Sequence, residues 1–299
     1  MKKGLGYYLT VAWKRAVRSY LRILRHVDHV RYFEHSYRLL RHRKPDFASP
    51  HDLSEYLIHD MLYTDFSVYA PYADKIAVRD YVSRKGLSEL LPKVYGVWNS
   101  VSEIDFETLP QKFALKTNNG CGNHVLCRDK KTLDRESAVE KLRYTLGRTY
   151  NKWEPHYRHI RPRVFCEELL ENADGGEIAD YKFMCFDGRP RFILVCSERS
   201  TRLRLSAYTL DWRPLDYIVP SYRSEKEIAR PVHLEQMIVV ASRLAEDFRM
   251  VRVDLYDLGN RVVFGELTFS PAEGMFKYFH NEAVDAMGEF LRLPRRQAV

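Results

Sequence analysis

The 299-residue chain is 45% apolar and 29% charged, with 20 tyrosines and a net charge of +8. That balance excludes a disordered or fibrous chain and gives enough length to bury one large composite core or two smaller units. The five cysteines, Cys121, Cys127, Cys166, Cys185 and Cys196, are odd in number and include no C-x-x-C pair. Buried reduced thiols are therefore expected and a zinc site is not. With no signal peptide and no run of about 20 apolar residues, a cytoplasmic address is expected.

The charge is unevenly spread. Residues 1–44 hold 12 Lys and Arg against only Asp28 and Glu34, so this segment carries +10 and the remainder −2. Trp13, Ala16, Val17, Tyr20, Leu21, Leu24 and Val27 recur at three- and four-residue steps, with Arg15, Arg18, Arg22 and Arg25 between them. This predicts an amphipathic helix with a basic back. Two readings stand side by side: a helix packed on the body with a solvated arginine face, or attraction to an anionic surface such as a membrane leaflet, a lipid-linked glycan or an acidic polymer. Nucleic acid is not expected, because no zinc-finger spacing or RNP-like aromatic motif accompanies the charge. Pro45 and Pro50 in RKPDFASP mark a break, and a second unit starts there.

The stretch up to Pro110 reads as mainly helical through DLSEYLIHDML and DKIAVRDYVSRKGLSELL, with Gly86 placed to end a helix. Beyond Pro110, KFALKT, HVLCRD, RVFCEELL, YKFMCFDG and RFILVCSE are short β-rich runs, while TLDRESAVEKLRYTLG and HLEQMIVVASRLAEDF have the length and period of helices. Interspersed strands and helices imply an α/β or α+β architecture.

Three stretches carry chemistry. In KFALKTNNGCGNHVLC a strand ends near Lys116 and a loop with Gly120 and Gly122 follows. Backbone amides there can approach phosphate oxygens and the lysine adds a point charge, although taken alone a hairpin with two glycines reads first as plain structure. No G-K-[ST] follows, so this is not a Walker A loop. VRVDLYDLGNRVVFGELTFSPAEG reads as two antiparallel strands turning at Asp257 to Asn260, with Asp254 and Glu266 facing each other. Those carboxylates either converge on magnesium or pair with arginines such as Arg252 and Arg261. RVFCEELLENADGGEIADYKF is a strand reaching Glu167 and Glu168, a glycine turn, and a strand from Asp180.

Together and in this order, these stretches resemble the ATP-grasp superfamily, and more closely its TupA-like group, associated with teichuronopeptide and other cell-surface polysaccharide synthesis. The elements that carry the resemblance are DKIAVRDYV, LPQKFALKTNNGCG, CEELL, DYKFMCFDGRPRF, and RVDLY followed by FGELTFSP. It implies an α+β ATP-grasp fold, two α/β lobes whose antiparallel sheets clasp a nucleotide. The implied divisions are a basic helical segment over 1–48, a helical part over 49–110, a small lobe over 111–172 and a large lobe with the metal site over 173–299. ATP and Mg2+ are the implied cofactors. Lys116 matches the phosphate lysine, and Asn119, Gly120, Cys121 and Gly122 the loop over the phosphates. Glu167, Glu168 and Leu169 match the adenine hinge, Asp180 the ribose-contacting acid, and Arg79 the basic residue after the family's DK pair. Lys182 is a candidate second phosphate contact, Asp254 and Glu266 are the metal carboxylates, and Arg252 lies near the transferred phosphate.

One departure concerns the metal. Many ATP-grasp ligases continue as E-x-N, whereas this chain has Glu266, Leu267 and Thr268, so Thr268 or Ser270 is left to complete the site. The resemblance implies an ADP-forming carboxylate–amine ligase acting through an acyl phosphate. It would join an amine or amino acid to a carboxylate such as a uronic acid or an acidic chain. A lipid-linked glycan acceptor would suit the basic segment and a peripheral position at the inner membrane face, and Arg189, Arg191, Arg199, Arg202 and Arg204 are candidates to receive it. Cys121 has no histidine identifiably paired with it and reads as structural. A glycosyltransferase, a phosphotransferase sharing the nucleotide site, and a non-catalytic ATP-binding relative are the alternatives.

Overall fold

The computed structural model describes residues 5–120, 124–147, 154–176, 178–197 and 203–292. Two helices open the chain, α1 (Leu5–Val27) and α2 (His29–Arg41). They part at Asp28, whose carboxylate caps α2 by accepting from the Arg31 amide at 3.0 Å. The proline-marked stretch that follows is packed rather than free. Phe47 is buried, and Glu55 accepts from the amides of both Asp46 (2.9 Å) and His51 (2.8 Å). Helix α3 (Leu53–Tyr63) then begins at Asp52, which caps the Glu55 amide at 2.8 Å.

Short helices α4 (Ala70–Ala73) and α5 (Val78–Arg84) follow, and the left-handed Gly86 (φ +70°) lies just beyond the end of α5. The expected helical stretch gives way early, because Val94–Trp98 forms strand β1. Its signal is muted by Gly96, a residue of low strand preference. A Cβ there would lie 2.4 Å from the half-buried Trp98 ring, so a larger residue would have to push that ring aside.

Strands β2 (Phe113–Thr117), β3 (Val125–Cys127) and β4 (Val164–Glu167) join β1 in a four-stranded antiparallel sheet of order β1-β4-β2-β3. The small sheet therefore starts at Val94, upstream of the boundary expected at residue 111. Helix α6 (Arg135–Leu146), capped by Asp134, covers one of its faces through Ala138 and Leu142.

The second sheet is six-stranded. Strands β5 (Asp180–Phe186), β6 (Arg189–Ser197), β7 (Arg204–Tyr208) and β8 (Pro214–Leu215) form one side. After α7 (Leu234–Ala245), the hairpin of β9 (Met250–Asp257) and β10 (Val262–Thr268) completes the order β10-β9-β5-β6-β7-β8. Helix α8 (Asn281–Arg292) closes the described chain. Side chains alternate across the pleat. Tyr181, Phe183 and Cys185 therefore enter the core shared with α7, while Met184 and Phe186 enter the one shared with α3 and α8. The four described cysteines are buried and free of disulfides, and burial pushes the Cys166 thiol up to about 12.

Candidate nucleotide and metal site

The face of the large sheet that carries Met184 and Phe186 changes character along its strands. Two residues before Met184 comes Lys182, and two before that Asp180. On β9 the same alternation presents Arg252 and Asp254, and on β10 Glu266 and Thr268. Register sets Asp254 opposite both Lys182 and Glu266, and Thr268 opposite Arg252. A bulge between Phe264 and Glu266 makes this alignment, and it requires Gly265, where a Cβ would stand 2.9 Å from the Asp254 carbonyl oxygen.

These groups form a connected network. Lys182 Nζ donates to Asp180 Oδ2 at 2.6 Å and to Asp254 Oδ2 at 2.5 Å. Arg252 holds Asp254 with two bonds, Nε to Oδ1 and a terminal nitrogen to Oδ2, both 2.6 Å, and reaches Glu266 Oε1 at 3.2 Å. Thr268 donates its hydroxyl to Glu266 Oε1 at 3.1 Å. Burial pushes the Asp254 carboxyl above its ordinary range, against the pull of Arg252 and then Lys182. At Glu266 burial also pushes upward, but Lys75, Arg252 and Lys182 together outweigh it and bring the carboxyl down to about 2.

Lys75, from the DK pair ahead of α5, was not among the residues expected at the site. Its ammonium lies 3.3 Å from Glu266 Oε2 and donates to the Gly120 carbonyl at 2.6 Å, so one side chain ties the glycine loop of the small sheet to β10 of the large one. The neighbouring residues fix its position. The Lys75 amide donates to the Asn118 carbonyl at 3.0 Å, and the buried Asn118 side chain donates to Asp74 Oδ2 at 2.8 Å. Tyr278 is a second unexpected neighbour: its buried hydroxyl is pushed up to about 12 by desolvation, with Arg252 pulling down and Asp254 pushing up.

On the small sheet, Lys116 Nζ donates to Glu167 Oε1 at 2.5 Å, so the expected phosphate lysine and hinge glutamate form a pair. Arg79 points to the carbonyl of Pro92 at 2.9 Å, beside the start of β1. Burial lowers its guanidinium pKa, with Glu167 pulling the other way. Glu168 is already engaged: its amide donates to the Lys93 carbonyl at 2.8 Å and its carboxylate binds Arg261 across the two sheets. As a hinge residue it therefore has no free amide for a base, and Leu169 beside it is half-buried. Ser270 donates to Glu154 Oε1 at 2.5 Å, away from Glu266.

Asn119 and Gly120 are buried at the end of the loop after β2, while Cys121 and Gly122 lie outside the described residues, as do Arg199 and Arg202. Arg191 stacks over Phe290 at 5.1 Å and Arg204 donates to the Arg223 carbonyl, so these two are held against the body.

Among the described residues no three His, Cys, Asp or Glu side chains converge to hold a metal by themselves. The donor set at Asp254 and Glu266 is instead two carboxylates with a hydroxyl nearby. That suits magnesium, which takes one or two carboxylates and completes its shell with phosphate and water oxygens.

A sequence profile of the family described as TupA-like ATPgrasp matches residues 55–292. No curated protein matches the chain. Among solved structures, the D-alanine–D-alanine ligase of Helicobacter pylori is 13% identical with a TM-score of 0.43, the match covering 76% of this chain and 60% of that one. The corresponding ligase of Bacillus anthracis is 15% identical with a TM-score of 0.43, over 74% of this chain and 65% of its own. An L-amino acid ligase of Bacillus licheniformis is 12% identical with a TM-score of 0.38, over 68% and 42%. The chain thus spans less than two thirds of the length of each.

Proposed function

The chain belongs to the TupA-like ATP-grasp family, and we propose that it is an ADP-forming carboxylate–amine ligase that binds ATP between its two sheets. The observation that carries this reading is the grid of Lys182, Arg252, Asp254 and Glu266 on one sheet face, joined by Lys75 to the glycine loop at Gly120. Three cations stand there beside three carboxylates, counting Asp180, so each charge has a partner before any ligand arrives. ATP phosphates would draw Lys75, Lys116, Lys182 and Arg252 toward themselves, leaving Asp254 and Glu266 to hold magnesium. The ion would neutralise charge on the phosphoryl group in transfer.

The reaction follows as two displacements. A substrate carboxylate oxygen attacks the γ-phosphorus of ATP, the bond to the bridging oxygen breaks, and ADP leaves. An amine then attacks the acyl carbon, the phosphate departs with the bonding pair, and the amine loses a proton. The protein's task is alignment and charge compensation, and no enzyme nucleophile is required. Family context favours a uronic acid or acidic chain of a cell-surface polysaccharide as the carboxylate and an amino acid as the amine.

The test is an ADP-release screen over amino acids paired with uronic acids in the presence of MgATP. Turnover that needs both partners supports the ligase. Positional oxygen exchange in ATP that needs the carboxylic acid but not the amine places the first displacement. Phosphorylated product with no amine requirement would identify a phosphotransferase instead.

A further inference from the structure

Helix α1 carries three distinct stripes. Val17, Leu21 and Leu24 follow one another at steps of three and four, and this is its half-buried to buried side; α2 meets the helix through His35 against Tyr20 and Tyr32 beneath Arg25. Arg15, Arg18 and Arg22 form an exposed basic side. The third stripe is Trp13, Ala16, Ile23 and Val27, on a line that also carries Tyr20, whose hydroxyl lies 3.3 Å from His35 Nε2 on α2. It is apolar yet faces solvent: Trp13 is 59% exposed, Ile23 62% and Val27 73%. At 1.5 Å per residue the stripe is about 21 Å long. Single exposed apolar residues are ordinary; a row of four on one line of a helix is not.

We propose that this stripe docks α1 flat in the plane of an anionic lipid bilayer. Charge complementarity selects that occupant. Of the basic residues in 1–44, Arg25, Arg41 and Arg43 are tied to the rest of the chain, whereas Lys14, Arg15, Arg18 and Arg22 are exposed on the helix that carries the apolar stripe. A helix with Trp and aliphatic residues on one side and arginines on the polar side is the form that lies in a headgroup region. The helix is about 10 Å across, comparable to the Debye length at physiological salt, so arginines on its far side still feel the leaflet's charge. Their long stems can also curl back toward it.

The docked helix would be tied to the nucleotide site. Arg25 donates to Glu273 at 2.8 Å and sits over the Tyr32 ring at 5.6 Å. Glu273 belongs to the turn that directly follows β10, the strand of Glu266 and Thr268. The leaflet and the reaction site are thus linked through one short segment, which would favour an acceptor carried on a lipid. That last consequence rests on the ligase reading, whereas the docking does not.

The experiment is flotation of the full chain with vesicles of phosphatidylcholine alone or with 30% phosphatidylglycerol, at 50 and 300 mM salt. Binding to the anionic vesicles at least tenfold tighter than to the neutral ones, weakened by salt and accompanied by a blue shift of tryptophan emission, is the expected result. The triple variant Trp13→Glu, Ile23→Glu, Val27→Glu should lose at least tenfold in vesicle binding while keeping its circular dichroism spectrum and its ADP release on soluble substrates. Should that variant misfold, Arg15→Gln, Arg18→Gln, Arg22→Gln provides the second reading: about fivefold is expected to be lost per arginine near the surface on anionic vesicles only. No flotation at 50 mM salt, or flotation that neither variant changes, overturns the proposal. Stripe-dependent self-association by sedimentation velocity without vesicle binding also overturns it, because a second copy would then be the occupant. Flotation that the variants abolish while the ADP screen stays silent supports docking and counts against the ligase reading alone.

Discussion

Replacing Glu266 with Gln separates the electrostatics of the site from its shape, because the amide keeps the volume and one acceptor oxygen but removes the charge. In the native chain that charge is held by Lys75 at 3.3 Å and Arg252 at 3.2 Å, and the carboxyl titrates at about 2 instead of the ordinary 4.5. A carboxylate whose pKa is depressed by folding adds stability that is present above its unfolded pKa and is lost as pH falls toward its folded one. At 1.36 kcal/mol per unit the full shift would correspond to about 3 kcal/mol, and with the side chain partly open to solvent about 2 kcal/mol is the better figure. For a chain of this size that is roughly 4–8 °C in Tm. Urea unfolding of both proteins at pH 7 and pH 3.5 checks it. The variant should be less stable at pH 7, and about two-fifths of the difference should be gone at pH 3.5, since the native carboxylate loses its advantage between 4.5 and 2. In the same preparation, MgATP-dependent ADP release should fall by at least about 100-fold, as expected for removal of a group held to act on charge in the transition state. Equal stability at pH 7, or ADP release within threefold of the native chain, would refute both the charge network and the role given to Glu266.

Three further changes probe neighbouring parts. Lys75→Met cuts the link from Gly120 to Glu266; loss of one charge-assisted contact should weaken ATP binding by about 10- to 100-fold in calorimetry, with the fold unchanged by circular dichroism. Asp254→Asn removes the carboxylate that Lys182 and Arg252 share and leaves them Asp180 and Glu266, and a cost of about 1–3 kcal/mol is expected in urea unfolding. Adding Lys182→Met should restore part of that stability and none of the ADP release; no recovery would mean that Lys182 is not the stranded charge. His156 is fully buried against Phe66 and Tyr157, neither ring nitrogen has a hydrogen-bond partner among the described residues, and burial lowers its pKa to about 3. The unfolded chain therefore binds a proton below 6.5 that the folded chain refuses until about 3, so stability falls through that window by up to about 1.4 kcal/mol per pH unit. His156→Phe should remove that slope between pH 6 and 4, and an unchanged slope would assign it to other groups.

The parts of the site legible from sequence are those whose signal is local. Asp254 and Glu266 stand out because a carboxylate inside VRVDLYD or VVFGELT contradicts its apolar strand, and the turn at Asp257 to Asn260 sets the two strands against each other. Their partners were less legible in proportion to the distance along the chain. Arg252 is two residues from Asp254 and Lys182 is 72 away, yet both sit in β-rich runs that point to a sheet. Lys75 meets Gly120 across 45 residues and Glu266 in the other sheet, and its own surroundings are a helical stretch with no strand to give it a face. Strand β1 was hidden for a different reason: Gly96 weakens the local preference, and only the folded strand shows the Trp98 ring lying over it. Glu168 was visible as a polar strand end, but whether its amide would be free depended on Lys93, which β1 brings alongside.

Helix α1 shows the same limit within a single element. Trp13, Ala16, Val17, Tyr20, Leu21, Leu24 and Val27 satisfy one helical period and read as one apolar face. Seven residues on a helix of 3.6 per turn nevertheless cover more than the width that one neighbour can bury. In the folded chain Val17, Leu21 and Leu24 are half-buried or buried and Tyr20 meets His35 of α2, while Trp13, Ala16 and Val27 stay outside, joined there by Ile23. Periodicity gives the set of apolar residues, but which of them remain for a partner is decided by where the second helix lies. The exposed row therefore becomes a docking surface only once the hairpin is built, and the arginines between the two rows acquire a direction at the same step. That dependence makes a specific demand on the vesicle experiment: a substitution at Leu24, in the buried row, should act through folding, whereas one at Ile23, its immediate neighbour in the exposed row, should act through binding alone.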